Sequence, residues 1–356
     1  MKKKIVAGTE DIGQRLDKFL LSRFSQYSRA FLKEQIKQGN IFIHPVRSRP
    51  TKPDIYQPKP QAKSLHKTGA KIKHERTSAG VNGVMVKPSY LLREGDEILF
   101  MLPDKPENKL TPNPDIKLSV IYEDNNVLVI DKPAGISVHP RMDKVLQPVP
   151  AETQNTLVSG LIAYCPELAS VGDNPLARPG LVHRLDKDTS GVMIIAKNQA
   201  AFTWLKNQFQ KRLTAKKYLA LVHGHLKETN GQIKCFLKRS PDPTKQQVAS
   251  EGREAISDYK VLKEFKDYSL VEARPKTGRF HQIRVQLAYL GHPVVGDTKY
   301  GGGRQKPTNL TRQFLHAVEL EITLPDGQKR LFASPLPADL NKVIEALSRF
   351  RYIVST

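Results

Sequence analysis

The 356-residue chain is long enough for about two domains, 39% of it is apolar, and its 57 Lys+Arg against 35 Asp+Glu give a formal net charge of +22. Such values exclude global disorder, and no apolar run reaches the length of a membrane span. An excess of one sign this large favours a polyanionic partner, through phosphate contacts and counterion release.

The segment Ile5 to Asp11 behind the basic start is too short and too acidic for a signal-peptide core, so a soluble cytoplasmic protein is expected. Leu16, Phe19 and Leu20 recur at i, i+3 and i+4 and predict a short amphipathic helix. A second helix is predicted from Ser28, a capping residue, through Phe31, Leu32, Gln35 and Ile36 to Gly39, which suits a left-handed C′ position. Arg15, Lys18, Arg29, Lys33 and Lys37 on their exposed sides would suit a phosphate backbone.

From about 41 to 80 the chain turns irregular, with Pro45, Pro50, Pro53, Pro58 and Pro60 preceding Lys63, Lys67, Lys71, Lys73 and Arg76. This insertion has too few large apolar residues to order itself alone. A basic RNA-binding arm is expected, with a plain surface loop as the alternative. Regular structure is predicted again at Val81 to Val86, where Asn82-Gly83 makes a hairpin turn, and at Gly95 to Phe100. Residues 103–115, rich in proline, read as a linker.

The larger domain is expected over 116–356. Val120 to Tyr122 and Val127 to Ile130 flank Asn125-Asn126 as a hairpin, and Pro325-Asp326-Gly327 turns between two further strands. Helices are predicted at 199–209, at 282–290 and after Pro337. Strands mixed with helices, without regular β-α-β alternation, predict an α+β domain around a mainly antiparallel sheet. The cysteines, Cys165 and Cys235, lie outside any C-x-x-C arrangement and the histidines lack ligand spacing, so neither metal nor cofactor is expected.

Chemistry concentrates at His183-Arg184-Leu185-Asp186-Lys187-Asp188-Thr189-Ser190-Gly191, which precedes the apolar run Val192 to Ala196. Asp186 would sit at the mouth of a buried strand, held by packing yet reachable by solvent. On residue types alone, an acid flanked by Arg and Lys reads better as a solvated ion pair than as a catalytic group.

The wording of that run resembles the signature of RluA-type pseudouridine synthases, enzymes that isomerise uridine within RNA. Three other segments share the resemblance: Asp131-Lys132-Pro133-Ala134-Gly135 to Pro140, Lys216-Lys217-Tyr218-Leu219, and Thr277-Gly278-Arg279-Phe280-His281-Gln282-Ile283-Arg284. Gly291 to Asp297 and Tyr300-Gly301 complete it, so that it covers 116–335. The resemblance implies a catalytic Asp186, a facing Tyr218, an Arg284 that pairs with the acid, and an Arg184 that helps turn the target base out of its stack, with His183 beside it on the RNA. Phe280 departs from the small polar residue usual at its place. With 41–80 cut out, residues 14–40 and 81–100 are similar to an S4 domain, a small RNA-binding module of helices and a hairpin, which places an S4-like domain at 1–102.

The expected protein is thus an RNA pseudouridine synthase acting without a cofactor on structured RNA, most naturally large-subunit ribosomal RNA or a ribosome precursor. It is expected to be a monomer with no membrane or DNA partner. The alternative is an S4-type RNA-binding or ribosome-assembly factor with an inactive synthase domain. A base-removing enzyme would need a separate general acid and an activated water.

Overall fold

A computed structural model of the chain describes residues 3–24, 29–37, 39–44, 84–100, 110–140, 155–175, 177–304, 306–307 and 310–349. Most of the 41–80 insertion, the Asn82-Gly83 turn and Ser28 lie outside these. Among the described residues, those up to Phe100 form one compact unit and those from Leu110 another.

In the first unit, strand β1 (Lys3–Val6) leads through a 3-10 turn at Thr9–Asp11 to helices α1 (Leu16–Arg23) and α2 (Arg29–Lys37), then to strands β2 (Ile41–His44) and β3 (Glu97–Phe100). The strands pair antiparallel in the order β1-β3-β2, with Ile98 opposite both Ile5 and Ile43. Leu16, Phe19 and Leu20 from α1 and Leu32 and Ile36 from α2 bury one stripe of each helix on Ile41, Ile43, Ile98 and Phe100. Gly39 takes a φ of +75° and ends α2, the backbone state for which its missing Cβ suits it. Val84 and Ile43 exchange backbone hydrogen bonds of 2.9 and 3.1 Å, which sets the chain after the insertion beside β2.

The second unit begins earlier than expected. Leu110 is buried among Leu157, Val158 and Leu161, and the Asn113 N–H donates to the Ser159 carbonyl at 2.9 Å. An apolar side chain and a satisfied amide fasten these residues to the larger domain, so 110–115 is not linker.

Strands β4 (Ser119–Glu123) and β5 (Val127–Lys132) form the expected hairpin, and α3 (Leu157–Tyr164) follows. Next come β6 (Ser190–Ala196), α4 (Gln199–Gln210), β7 (Ala215–His223), β8 (Asn230–Arg239), β9 (Gln246–Ala249), β10 (Arg253–Phe265) and β11 (Tyr268–Pro275). Helix α5 (Gln282–Tyr289), β12 (Leu315–Thr323), β13 (Lys329–Ala333) and α6 (Ala338–Arg349) complete the described part. The sheet runs β4-β5-β6-β12-β7-β11-β10-β8-β9, with β13 on β12. Of its strand pairings among the described residues, β6 with β12 is parallel and the rest are antiparallel.

The apolar runs of β5 and β6 have a period-2 explanation. Leu128, Ile130, Met193 and Ile195 pack under α3, whereas Val127, Val129, Val192 and Ile194 pack with Ala201, Phe202 and Leu205 of α4. Both faces are covered, so every residue of β6 is buried. At the start of β6, Gly191 has a φ of +120°, and a Cβ there would lie 2.2 Å from the Ala317 carbonyl oxygen. Only glycine lets β6 and β12 close at this point, immediately behind the loop that carries Asp186.

Candidate active site

The loop 183–189 leaves a covered interior and turns before β6, with the Thr189 N–H on the Asp186 carbonyl at 3.1 Å. It is tied from two sides. On one, the Lys187 carbonyl accepts from the Gly135 N–H at 3.0 Å and from Lys132 Nζ at 3.0 Å. On the other, Arg312 Nη1 reaches the Asp188 carbonyl at 3.3 Å, and Gln313 Nε2 donates to Thr189 Oγ1 at 3.2 Å. Ser190 Oγ and His316 Nδ1 add a contact of 2.9 Å just ahead of the Gly191 closure. A loop held by this many backbone contacts presents one carboxylate in one place.

Arg284 comes to Asp186 from α5. Its Nη1 donates to Asp186 Oδ2 at 2.8 Å, while its Nε and Nη2 grip Asp297 at 2.6 and 2.9 Å. The Asp186 side chain keeps 17% of its exposure, against 4% for Arg284 and none for Asp297. That gradient makes Asp186 the reachable member of a buried triad. Burial works against the Arg284 charge, but the two carboxylates outweigh it and hold the guanidinium above its ordinary range. Burial likewise opposes the charge on Asp297, and its bonds to Arg284 and to the Lys299 and Tyr300 amides hold it below the usual carboxylate value. Arg284 is therefore a buried residue and not a surface arginine of an amphipathic helix.

Helix α5 is placed by glutamines. Gln282 Oε1 accepts from Thr277 Oγ1 at 2.7 Å and from the Arg279 N–H at 2.9 Å, and its Nε2 reaches the Ile256 carbonyl at 3.0 Å. One turn later Gln286 accepts from Ser257 Oγ at 2.6 Å and donates to the Ile233 and Ala255 carbonyls, each at 3.1 Å. The two side chains share one helix face at i and i+4 and bolt it to β8 and β10, while Arg284 projects from another face.

Tyr218 lies on β7 between Ala317 of β12 and Ala273 of β11 and packs against both major cores. Burial, with the Asp186 carboxylate adding to it, raises its phenol above the ordinary value, so it carries its proton at neutral pH. His281, which caps α5 with a φ of +54°, brings its Nε2 to 3.8 Å from Asp186 and its Nδ1 to 2.9 Å from the Tyr300 hydroxyl. Burial lowers it to about 4, which leaves the ring neutral.

Not every expected site residue lies as the sequence led us to expect. Arg184 is exposed near the carboxylate, its Nη1 at 2.6 Å from His139 Nε2. His183 is turned inward: its Nε2 accepts from the Ile194 N–H at 3.0 Å and its ring stacks on Phe209 at 4.7 Å. Its two neighbours in space claim the side chain, so its contribution is to strand packing rather than to an RNA surface. In the first unit Arg15 and Lys33 approach the buried carboxylate of Asp17 at 3.0 and 3.4 Å, and Arg15 is partly committed there. Lys18 and Lys37 are exposed, and the Arg29 side chain is outside the described residues.

The sequence reading missed Asp297, His281, Gln282, Gln286 and Lys132 as contributors. Lys132 is fully buried, with Nζ on the Pro133 carbonyl at 2.6 Å as well as on Lys187. Burial pushes its ammonium down to about 7 despite the opposing fields of Asp188 and Asp186. Between that value and its ordinary 10.5 the unfolded chain binds a proton that the folded chain does not, so stability rises with pH across this window. Lys132→Met is expected to flatten that rise, read from urea midpoints at several pH values; an equal slope in both proteins would show that Lys132 keeps its proton.

The described residues hold no group of three or more His, Cys, Asp or Glu suited to a metal, and none of their helices is long and apolar enough to cross a membrane. The pattern of the RNA pseudouridylate synthase family matches residues 126–289, a span that contains Asp186, Tyr218 and Arg284. An uncharacterized RNA pseudouridine synthase, YlyB, of Bacillus subtilis (strain 168) is 34% identical over 347 residues, 97% of this chain and 98% of the relative. Ribosomal large subunit pseudouridine synthase D of Xanthomonas campestris pv. campestris is 34% identical over 348 residues, covering 94% and 89% of the two chains. Among solved structures, human RNA pseudouridylate synthase domain containing 1 superposes with a TM-score of 0.50 at 26% identity, over 65% of this chain and 95% of its own. With its family's pattern matched over 126–289 and relatives matched along almost the whole chain, this protein belongs to the RNA pseudouridylate synthases of the RluA type.

Proposed function

We propose that the protein converts particular uridines of large-subunit ribosomal RNA to pseudouridine, working as a cytoplasmic monomer with Asp186 as the essential carboxylate. The observation that carries the reading is the Asp186–Arg284 contact of 2.8 Å, in which a partly exposed acid is aimed by a buried guanidinium. The reaction breaks the N1–C1′ bond, turns the uracil over and forms C5–C1′, so it needs a nucleophile or base and a closed site, and neither gains nor loses atoms. An intact acid and its pairing arginine speak against an inactive synthase domain. Relatives named as ribosomal large subunit pseudouridine synthases support the choice of RNA, and the net charge of +22 supports an RNA partner and opposes self-association.

In this reading Arg284 orients the acid and Tyr218 packs on the uracil while its hydroxyl serves as a proton donor. Arg184 takes the space a base leaves when it turns out. The first unit is an S4-like RNA-binding domain whose exposed Lys18 and Lys37, with Arg15, Arg29 and Lys33, contribute backbone contacts. Pseudouridine mapping of ribosomal RNA from cells with and without the protein tests the assignment, and an unchanged map rejects it. Tyr218→Phe keeps the ring and deletes the hydroxyl. We expect its single-turnover rate on bound RNA to fall at least about 100-fold, within the usual worth of a positioned acid or base, with affinity little changed. A normal rate with collapsed affinity would make Tyr218 a binding residue only.

A further inference from the structure

Three arginines of the second unit stand close enough to act on one another's charge. Arg184 lies in the field of Arg239, and Arg178 in the field of Arg184. All three side chains are exposed to solvent, and the protein around Arg178 and Arg184 disfavours their charged form. Among the described residues neither Arg178 nor Arg239 has a carboxylate partner. The acid nearest in effect to Arg184 is Asp186, already gripped by Arg284.

Several other cations of this unit meet acids: Lys197 meets Glu123 at 2.6 Å, Lys206 meets Asp173 at 2.6 Å, and Arg312 meets Asp339 at 2.6 Å. Arg184 and Arg239 thus form a pair of like charges with no ion-paired acid of their own among the described residues. It is also built. The Phe280 ring, stacked on His281, carries Arg184 at 5.7 Å and Arg239 at 5.9 Å from its centroid. Arg239 Nη1 is further fixed on the Pro243 carbonyl at 2.6 Å. His139 donates from Nδ1 to the Pro140 carbonyl at 2.8 Å, which leaves its Nε2 lone pair to accept from Arg184. Phe280, the residue that departs from its family's usual choice, thus has a use: a small polar side chain could not hold two guanidiniums.

We propose that Arg239, held beside Arg184 on the Phe280 ring, binds a phosphodiester of the RNA next to the uridine that Arg184 helps to turn out. A planar, weakly hydrated guanidinium with several donors suits a phosphate, and neighbouring like charges gain most from one. The proposal rests on the uridine-isomerising reading of the Asp186 site.

The test uses the full-length protein and a transcript of large-subunit ribosomal RNA, with affinity measured across a range of salt. Arg239→Gln is expected to weaken binding several-fold and to flatten the slope of log affinity against log salt by about 0.7 to 0.9, one phosphate's worth of counterions. Arg239→Lys should keep most of the slope. Lys206→Gln, which removes the same charge from a cation already paired, should leave it unchanged. An unaltered slope in Arg239→Gln, or an equal flattening by Lys206→Gln, would overturn the proposal. Pseudouridine in the same transcript is read alongside: if the wild-type protein forms none while the slope changes as expected, the enzymatic reading falls and the phosphate contact stands.

Discussion

The Asp186→Asn protein is expected to fold, to bind RNA within a few-fold of the wild type, and to form no detectable pseudouridine. The amide has the carboxylate's shape, and its oxygen can still accept from Arg284 Nη1, 2.8 Å away in the native site. Arg284 also keeps its bidentate hold on the buried Asp297, so the fold loses little. What disappears is the negative oxygen that could attack the sugar or the base, or take a proton, and no other carboxylate is reachable in the same position, because the Asp297 side chain is fully buried. Pseudouridine mapping together with an RNA-binding curve checks both halves. Near-normal turnover would remove Asp186 from the mechanism, and loss of binding with loss of turnover would point to a folding defect instead.

Arg284→Met is expected to cost both activity and stability. It leaves Asp297 buried with only the Lys299 and Tyr300 amides, at 2.9 and 3.1 Å, and it frees Asp186 to rotate. Removing one partner of a buried ion pair typically costs about 3 to 5 kcal/mol. The pH dependence gives the cause. In the native protein the Asp297 carboxyl is held low, so its contribution to stability is full above the unfolded value near 4 and is lost as pH falls through the folded one. Without Arg284, burial dominates and raises it, so the folded variant takes up a proton more readily than its unfolded chain. The stability gap between the two proteins should then narrow as pH falls from 7 towards 5, read by urea unfolding at each pH. A gap independent of pH would mean that the loss is one of packing. Arg284→Lys, with its charge but no planar fork, should fall between the two.

Much of the fold was legible because local rules decide it. The stripe of Leu16, Phe19 and Leu20, the hairpins at Asn125-Asn126 and Pro325-Asp326-Gly327, and the helix from Gln282 all follow from period and turn chemistry within a dozen residues. The same holds for Asp186, whose place before a buried strand is a matter of neighbours in sequence. Leu110 escaped because nothing local distinguishes a prolyl linker from a prolyl segment whose one leucine finds a distant core.

Charge behaved differently. By itself the sequence determined how many cations the chain carries and which acid lies at the mouth of β6, and its resemblance to a family implied which arginine one helix would offer that acid. Only the tertiary structure decided which charges are spent and which are free: Arg284 is shared between Asp186 and Asp297, Arg15 and Lys33 approach Asp17, His183 faces inward, and Lys132 is buried beneath the catalytic loop. The reason is range. Helical and strand periodicity act between residues a few places apart, whereas an ion pair, or a cluster of like charges left without one, depends on separations in space that exist only once the fold has brought positions 184, 239 and 280 together.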